Sequence, residues 1–240
     1  MTERSDPAKR GYAICTSGRS GSNLLCQYLS SAGVLGNPLE YFNGSGRRRL
    51  GYPAYPDDPS QQIGWILTEG ATPNGIYGLK IFPAHLEHVE KSIAWTEMLP
   101  DLKFVLLKRR DILGQALSAV RAMQTDQWRS SMPAQGPAVY DGAQIYERLQ
   151  NAVRDYARWD IFLARKAVVP TIIVYEDLLA DPQSAVDQVA DLFGLRGQAR
   201  VASERVDLKI QRDAITEEWR TRFHADMATA TRRICFEGLV

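Results

Sequence analysis

The chain has 240 residues, 45% of them hydrophobic and 24% charged, an ordinary globular composition that needs no metal or disulfide to close a core. Lysine and arginine number 29 against 28 acidic residues, and a net charge of +1 gives no support to a dedicated nucleic-acid binder, which needs a clear basic excess. Three cysteines, Cys15, Cys26 and Cys235, are too few and too scattered for a disulfide framework or a zinc site, and the longest apolar runs fall well short of the ~20 residues that span a bilayer.

The first ten residues are polar and charged and read as a disordered leader, with no signal-peptide pattern, so the expectation is a cytoplasmic protein whose residues 11–240 form one domain. Residues 11–16 are a short apolar run and suit a buried strand. A Ser/Gly turn follows, then apolar residues at helical spacing over 23–32, with Ser20 or Ser22 available as a cap and Gly33, Gly36 and Pro38 as stops. Residues 43–74 are rich in turn formers and read as loop with one helix near 61–69. Further strands are expected at 76–82, 102–108 and 170–175. Helical patterns separate or follow them at 84–97, 112–124, 140–166 and 184–192. Strands alternating with helices imply an α/β fold in three layers, a parallel central sheet with helices on both faces. Residues 125–137 break periodicity and read as either a mobile lid or a long connection.

The turn Thr16-Ser17-Gly18-Arg19-Ser20-Gly21-Ser22 joins the first strand to the first helix. A helix N-terminus offers unpaired N–H groups and the positive end of a dipole, and glycines let an anion approach closely. Serine hydroxyls and the Arg19 fork add donors. The turn is not a Walker A loop, because G-x-x-x-x-G-K-[ST] is absent. Taken alone it fits either an anion cradle or a plain helix cap. A second cluster, Lys108-Arg109-Arg110-Asp111, ends the third strand, and Ser118 lies two turns into the next helix. At the carboxyl edge of a parallel sheet such residues meet a second phosphate, or they are simply a solvated basic strand end. Asp111 reads as an N-cap.

Lys80 sits inside an apolar strand, where a lone charge is expensive unless it is paired, faces a ligand or points from an edge strand into water. Glu40, between Pro38 and two aromatics, reads as a general base with raised proton affinity or as a solvated loop carboxylate. His85 and His88 share a predicted helix with no third ligand in view, so both are read as surface residues and no metal site is expected. Trp219, on a predicted C-terminal helix, is open to adenine stacking but reads more simply as core, whereas Trp128 in an irregular stretch is the better site candidate. Cys15 and Cys26 read as buried thiols.

Six ordered blocks carry a likeness to a known family: C-T-S-G-R-S-G-S-N-L-L, S-A-G-V-L-G-N-P-L-E-Y-F, T-P-N-G-I-Y-G-L-K, R-R-D-I-L-G-Q-A-L-S-A-V-R-A-M-Q-T, V-Y-E-D-L and D-L-K-I-Q-R-D-A-I-T-E-E-W. Together they resemble the bacterial trehalose 2-sulfotransferase family over most of residues 11–125 and 170–222. The resemblance implies a P-loop-like sulfotransferase fold and 3′-phosphoadenosine 5′-phosphosulfate as donor, leaving adenosine 3′,5′-bisphosphate as product. It implies that Ser17, Gly18, Arg19, Ser20, Gly21, Ser22 and Asn23 surround the 5′-phosphosulfate. Arg109 and Ser118 match the 3′-phosphate site, with Arg110 as a neighbouring alternative. Glu40 matches a proposed general base, Lys80 a strand lysine, and Gln211 and Arg212 a block that approaches the nucleotide. Arg19 and Lys80 are expected to stabilise the transferring group. The acceptor implied is a hydroxyl of a carbohydrate, glycolipid or small molecule, and a homodimer is plausible for the family. The chain departs from the family pattern at Asn23, at Phe82 and Pro83, and through 44–65 and 126–140, where an acceptor pocket would be shaped. The rivals are a P-loop-type small-molecule kinase and a non-catalytic nucleotide-binding module.

Overall fold

A computed structural model of the chain describes residues 8–128, 132–207 and 214–230. Four strands form one parallel sheet: β1 (Arg10–Cys15), β2 (Ile76–Ile81), β3 (Leu102–Lys108) and β4 (Thr171–Val174), in the order β2-β1-β3-β4. β1 is buried almost throughout, as a central parallel strand covered on both faces must be, and β2, although at the sheet edge, is buried throughout, with Leu39 bridged alongside Leu79. Ala8, inside the expected leader, is buried, and its N–H donates to Leu67 O at 3.3 Å, so ordered chain reaches back beyond residue 11. Residues 1–7 lie outside the described residues.

The helices are α1 (Ser22–Ser31), α2 (Gly44–Arg49), α3 (Pro59–Thr68), α4 (Pro83–Ser92), α5 (Trp95–Met98), α6 (Ile112–Thr125), α7 (Gly142–Arg165), α8 (Tyr175–Ala180), α9 (Pro182–Asp191) and α10 (Ala214–Ala230). One sheet face packs Ala13, Leu79, Phe104 and Leu106 with Ile66, Trp95, Trp159 and Phe162; the other packs Ile14, Val105, Leu107 and Ile173 with Leu25, Leu29, Val186 and Val189. That is the three-layer α/β arrangement the periodicity predicts. A third cluster (Leu117, Val120, Ile145, Trp219, Phe223) ties α6, α7 and α10 together.

Three local expectations are revised. The helix expected at 84–97 is two helices, because Ile93 adopts extended backbone and ends α4. α2 arises inside the expected loop, capped by Asn43, whose side chain accepts from Gly46 N. The strand expected to reach Tyr175 ends at Val174 and turns directly into α8.

The topology positions a site. From the neighbouring strands β1 and β3 the chain runs to opposite edges of the sheet, β1 leading to β2 and β3 to β4, so the connections leaving them diverge. Such a switch point opens a crevice beyond the strand carboxyl ends.

Candidate active site

The turn after β1 is fixed from below. Thr16 Oγ1 donates to Leu107 O at 3.1 Å on β3 and lies 2.6 Å from Ser20 Oγ, while Trp159 Nε1 on α7 donates to Thr16 O at 2.8 Å. Arg19 and Gly21 both take left-handed backbone, with φ of 61° and 88°. Gly21 packs flat on the Tyr175 ring, leaving no room for a Cβ. The expected serine cap of α1 is not formed: Gly21 is the N-cap and no side chain caps the first turn, because Ser20 is buried against Thr16. The turn therefore presents bare backbone donors outward, as an anion cradle requires and a plain capped helix does not.

In front of the turn lies a cavity of about 710 Å³. Ser17, Gly18, Arg19, Gly21, Ser22 and Asn23 line one wall, and Glu40, Lys80, Arg109 and Ser118 reach it from four other elements. Ser20 and Arg110 do not line it, and Gln211 and Arg212 lie outside the described residues. Arg19 Nε donates to Ser118 Oγ at 2.9 Å and its Nη1 to Trp128 O at 2.6 Å. Arg109 Nη1 donates to Arg19 O at 3.2 Å, and its guanidinium lies over the Tyr175 ring. Burial and the neighbouring Arg109 charge together lower the Arg19 pKa, the mark of clustered guanidiniums that an anion would relieve. Arg109 Nε is enclosed without a hydrogen bond.

Arg110, the alternative to Arg109, turns the other way. Its guanidinium is largely exposed and pairs with Asp177 at 2.7 and 3.0 Å. Asp111 caps α6 through Gly114 N at 2.8 Å, as read from the sequence, and also accepts two bonds from Arg220 on α10.

Lys80 lies on an edge strand yet is only 3% exposed, and its Nζ forms an ion pair with Glu40 Oε1 at 2.9 Å and a short hydrogen bond to Asn23 Oδ1. Asn43 Nδ2 donates to the other Glu40 oxygen at 2.8 Å. The expectation of a raised Glu40 proton affinity is reversed. Burial does push its pKa up, but the Lys80 charge and the two hydrogen bonds outweigh burial and bring it to about 2. His85, expected at the surface, is half-buried in the cavity wall. Its ring packs on Phe82 and its Nδ1 is enclosed without a hydrogen-bond partner. Burial lowers its pKa, which favours a neutral imidazole. His88 is exposed, as expected.

Several residues in or directly behind the wall carried no sequence signal. Asp155 accepts from Ser17 Oγ at 2.9 Å, and Gln115 Nε2 donates to Gly18 O at 2.7 Å. Tyr156 donates to Gln115 Oε1 at 3.0 Å and accepts from Arg109 N, so one tyrosine joins both anion-binding segments. In the sequence Asp155 and Tyr156 are two of many residues on a long amphipathic helix; their i, i+4 neighbours Asn151, Ala152 and Trp159 mark the same face. Trp128 lines the cavity, and Trp219 is buried in the third cluster rather than in the site. Among the described residues no group of three or more His, Cys, Asp or Glu side chains could hold a metal ion, and no helix is long and apolar enough to cross a membrane.

The family model described as Stf0 sulphotransferase matches residues 11–226. The chain belongs to the Stf0 sulphotransferase family. Membership makes it an enzyme of the sulfotransferase class, and the span matched includes every cavity-lining segment named above. Trehalose 2-sulfotransferase of Mycobacterium tuberculosis (strain ATCC 35801 / TMC 107 / Erdman) is 26% identical over 262 residues, covering 91% of this chain and 96% of that protein. The protein of the same name from Mycolicibacterium smegmatis (strain ATCC 700084 / mc(2)155) is 24% identical over 255 residues, covering 90% and 94%. Among solved structures, a sulfotransferase from Alicyclobacillus acidocaldarius superposes with a TM-score of 0.52 at 16% identity over 92% of this chain and 94% of that one, a likeness of fold.

Proposed function

We propose that the chain transfers a sulfuryl group from 3′-phosphoadenosine 5′-phosphosulfate to a hydroxyl of a carbohydrate, glycolipid or small-molecule acceptor. The observation that carries this reading is the uncapped N-terminus of α1 opening into the same cavity as Arg19, Lys80, Arg109 and Ser118. Oriented donors and clustered cations suit a ligand with two anionic ends. The 5′-phosphosulfate fits the turn from Ser17 to Asn23, and the 3′-phosphate fits Arg109 and Ser118; Ser118 accepts from Arg19 and so keeps its own O–H to donate. Arg110 is left out of the assignment because its charge is committed to Asp177.

The transfer is direct and in line. The acceptor oxygen forms the new S–O bond as the bond to the phosphate oxygen breaks, and adenosine 3′,5′-bisphosphate leaves. Positioning and charge stabilisation supply most of the rate, as in phosphoryl transfer. Glu40 takes the acceptor proton. Its carboxylate is ionised at any physiological pH, and its proton affinity, held low by Lys80 and Asn43, rises as Lys80 exchanges the ion pair for the charge developing on the departing oxygen. Lys80 and Arg19 share that charge with the backbone donors of α1. No step requires a metal. The homodimer implied by the resemblance belongs to the same reading, and sedimentation velocity checks it.

The test is Glu40→Gln. The variant keeps size and the Asn43 contact, so it should bind adenosine 3′,5′-bisphosphate normally while transfer from ³⁵S-labelled donor falls on the order of 10²-fold or more. Unchanged transfer would remove Glu40 as the base.

A further inference from the structure

Resting on the sulfotransferase reading, we infer that the acceptor is an amphiphile, a hydroxyl-bearing head group joined to an aliphatic body of several carbons, rather than a free sugar. Apart from the donors of the α1 turn, the cavity lining has two chemically distinct parts. Glu40, Asn43 and His85 lie at one wall, and Arg148, Asn151 and Asp155 on α7 at another; these groups suit a hydroxylated head. The rim is different. Leu50 after α2, Met123 near the end of α6 and Trp128 beyond it are 54%, 46% and 45% exposed, and all three line this one cavity, joined by Met132.

Exposed large apolar side chains are ordinary when scattered singly, but their convergence on a cavity marks a surface kept apolar for an occupant. Two stretches distant in sequence supply them, Leu50 after α2 and Met123, Trp128 and Met132 at and beyond the end of α6. Two of the four are methionines, whose unbranched, polarisable side chains adapt to flexible apolar ligands. Trp128 is held in place by its own polar atoms: Nε1 donates to Asp126 Oδ1 at 2.7 Å, and its carbonyl accepts from Arg19. Its ring is therefore presented without a polar edge left to satisfy. A free disaccharide would leave these faces wet, whereas an aliphatic body extending from a head group at Glu40 covers them. These side chains also fall in or beside the two segments that diverge from the family pattern, 44–65 and 126–140, where a change of acceptor would be written.

The whole chain is assayed with ³⁵S-labelled donor and three acceptors below any micellar concentration: trehalose, methyl β-D-glucopyranoside and hexyl β-D-glucopyranoside. Each methylene fully buried is worth about fourfold in affinity, so even partial burial of the hexyl chain predicts at least about a tenfold higher kcat/KM than for the methyl glucoside. The double variant Leu50→Ser, Met123→Ser should lose most of that preference while its melting temperature and its affinity for adenosine 3′,5′-bisphosphate stay unchanged. Trehalose or methyl glucoside used as well as hexyl glucoside would overturn the inference. So would no transfer to hexyl glucoside by protein that binds the bisphosphate, or a double variant that binds the bisphosphate less well, which would give the apolar rim to adenine. Failure of the wild-type chain to bind the bisphosphate would instead bring down the donor assignment, and this inference with it.

Discussion

Replacing Lys80 with Met removes one half of the buried pair while keeping most of the side-chain volume. In the wild type the Glu40 pKa falls from 4.5 to about 2, which corresponds to roughly 3 kcal/mol of folded-state preference for the ionised form. A depressed carboxylate contributes stability that is fully present above its unfolded pKa and is lost as pH falls through the folded value, here between about pH 4.5 and pH 2. Without Lys80 the carboxylate keeps only Asn43, burial then dominates, and its folded pKa moves above the ordinary value. The variant should therefore be about 3–5 kcal/mol less stable than wild type at pH 7, the usual effect of orphaning a buried charge. Below the raised pKa, Glu40 protonates in the variant and the penalty shrinks by about 1.4 kcal/mol per pH unit. Urea unfolding of both proteins at pH 7, 5.5 and 4 measures it. A stability difference that stays constant with pH would refute the account of the pair, because only an ionised, otherwise unpaired Glu40 makes the loss pH-dependent.

Other substitutions probe the cradle. Gly21→Ala combines a positive φ with a Cβ forced against Tyr175; it should destabilise the fold by more than about 1 kcal/mol in thermal melts and abolish bisphosphate binding. Arg109→Ala should weaken bisphosphate binding at least about tenfold by calorimetry, as loss of charge-assisted hydrogen bonds does, whereas Arg110→Ala should leave it within about twofold because its partner is exposed and outside the cavity. Equal losses from both would overturn the assignment of Arg109 over Arg110. Trp159→Phe deletes the bond to Thr16 O and should reduce stability by about 1 kcal/mol or more in urea titrations, with a larger relative loss of bisphosphate affinity than of secondary structure.

The fold was readable because parallel strands buried on both faces are near-continuous apolar runs, and β1, β2 and β3 are such runs bounded by turn formers. The anion-binding turn was readable because its chemistry is local: glycine, serine and arginine in a strand-to-helix junction. What the sequence concealed depended on which side chains meet in space, some close in sequence and others far along the chain. Glu40 was expected to hold its proton more tightly because its neighbours in sequence are apolar, yet its neighbours in space are Lys80 and Asn43, which reverse the shift. His85 looked like a surface residue on an amphipathic helix, but it stands in the first turn of α4 with its ring on Phe82, in the cavity wall. Ser20 looked like a cap because nothing in the sequence shows that Thr16 would take its hydroxyl. Arg109 and Arg110 are adjacent and chemically equivalent in sequence; Asp177, on a helix the sequence hid, separates them.

Calorimetric titration of the chain with adenosine 3′,5′-bisphosphate tests the central claim most directly. The account predicts saturable binding that persists in EDTA and is lost or strongly weakened in Arg109→Ala. Absence of binding, or binding of ATP in its place that depends on magnesium, would contradict it.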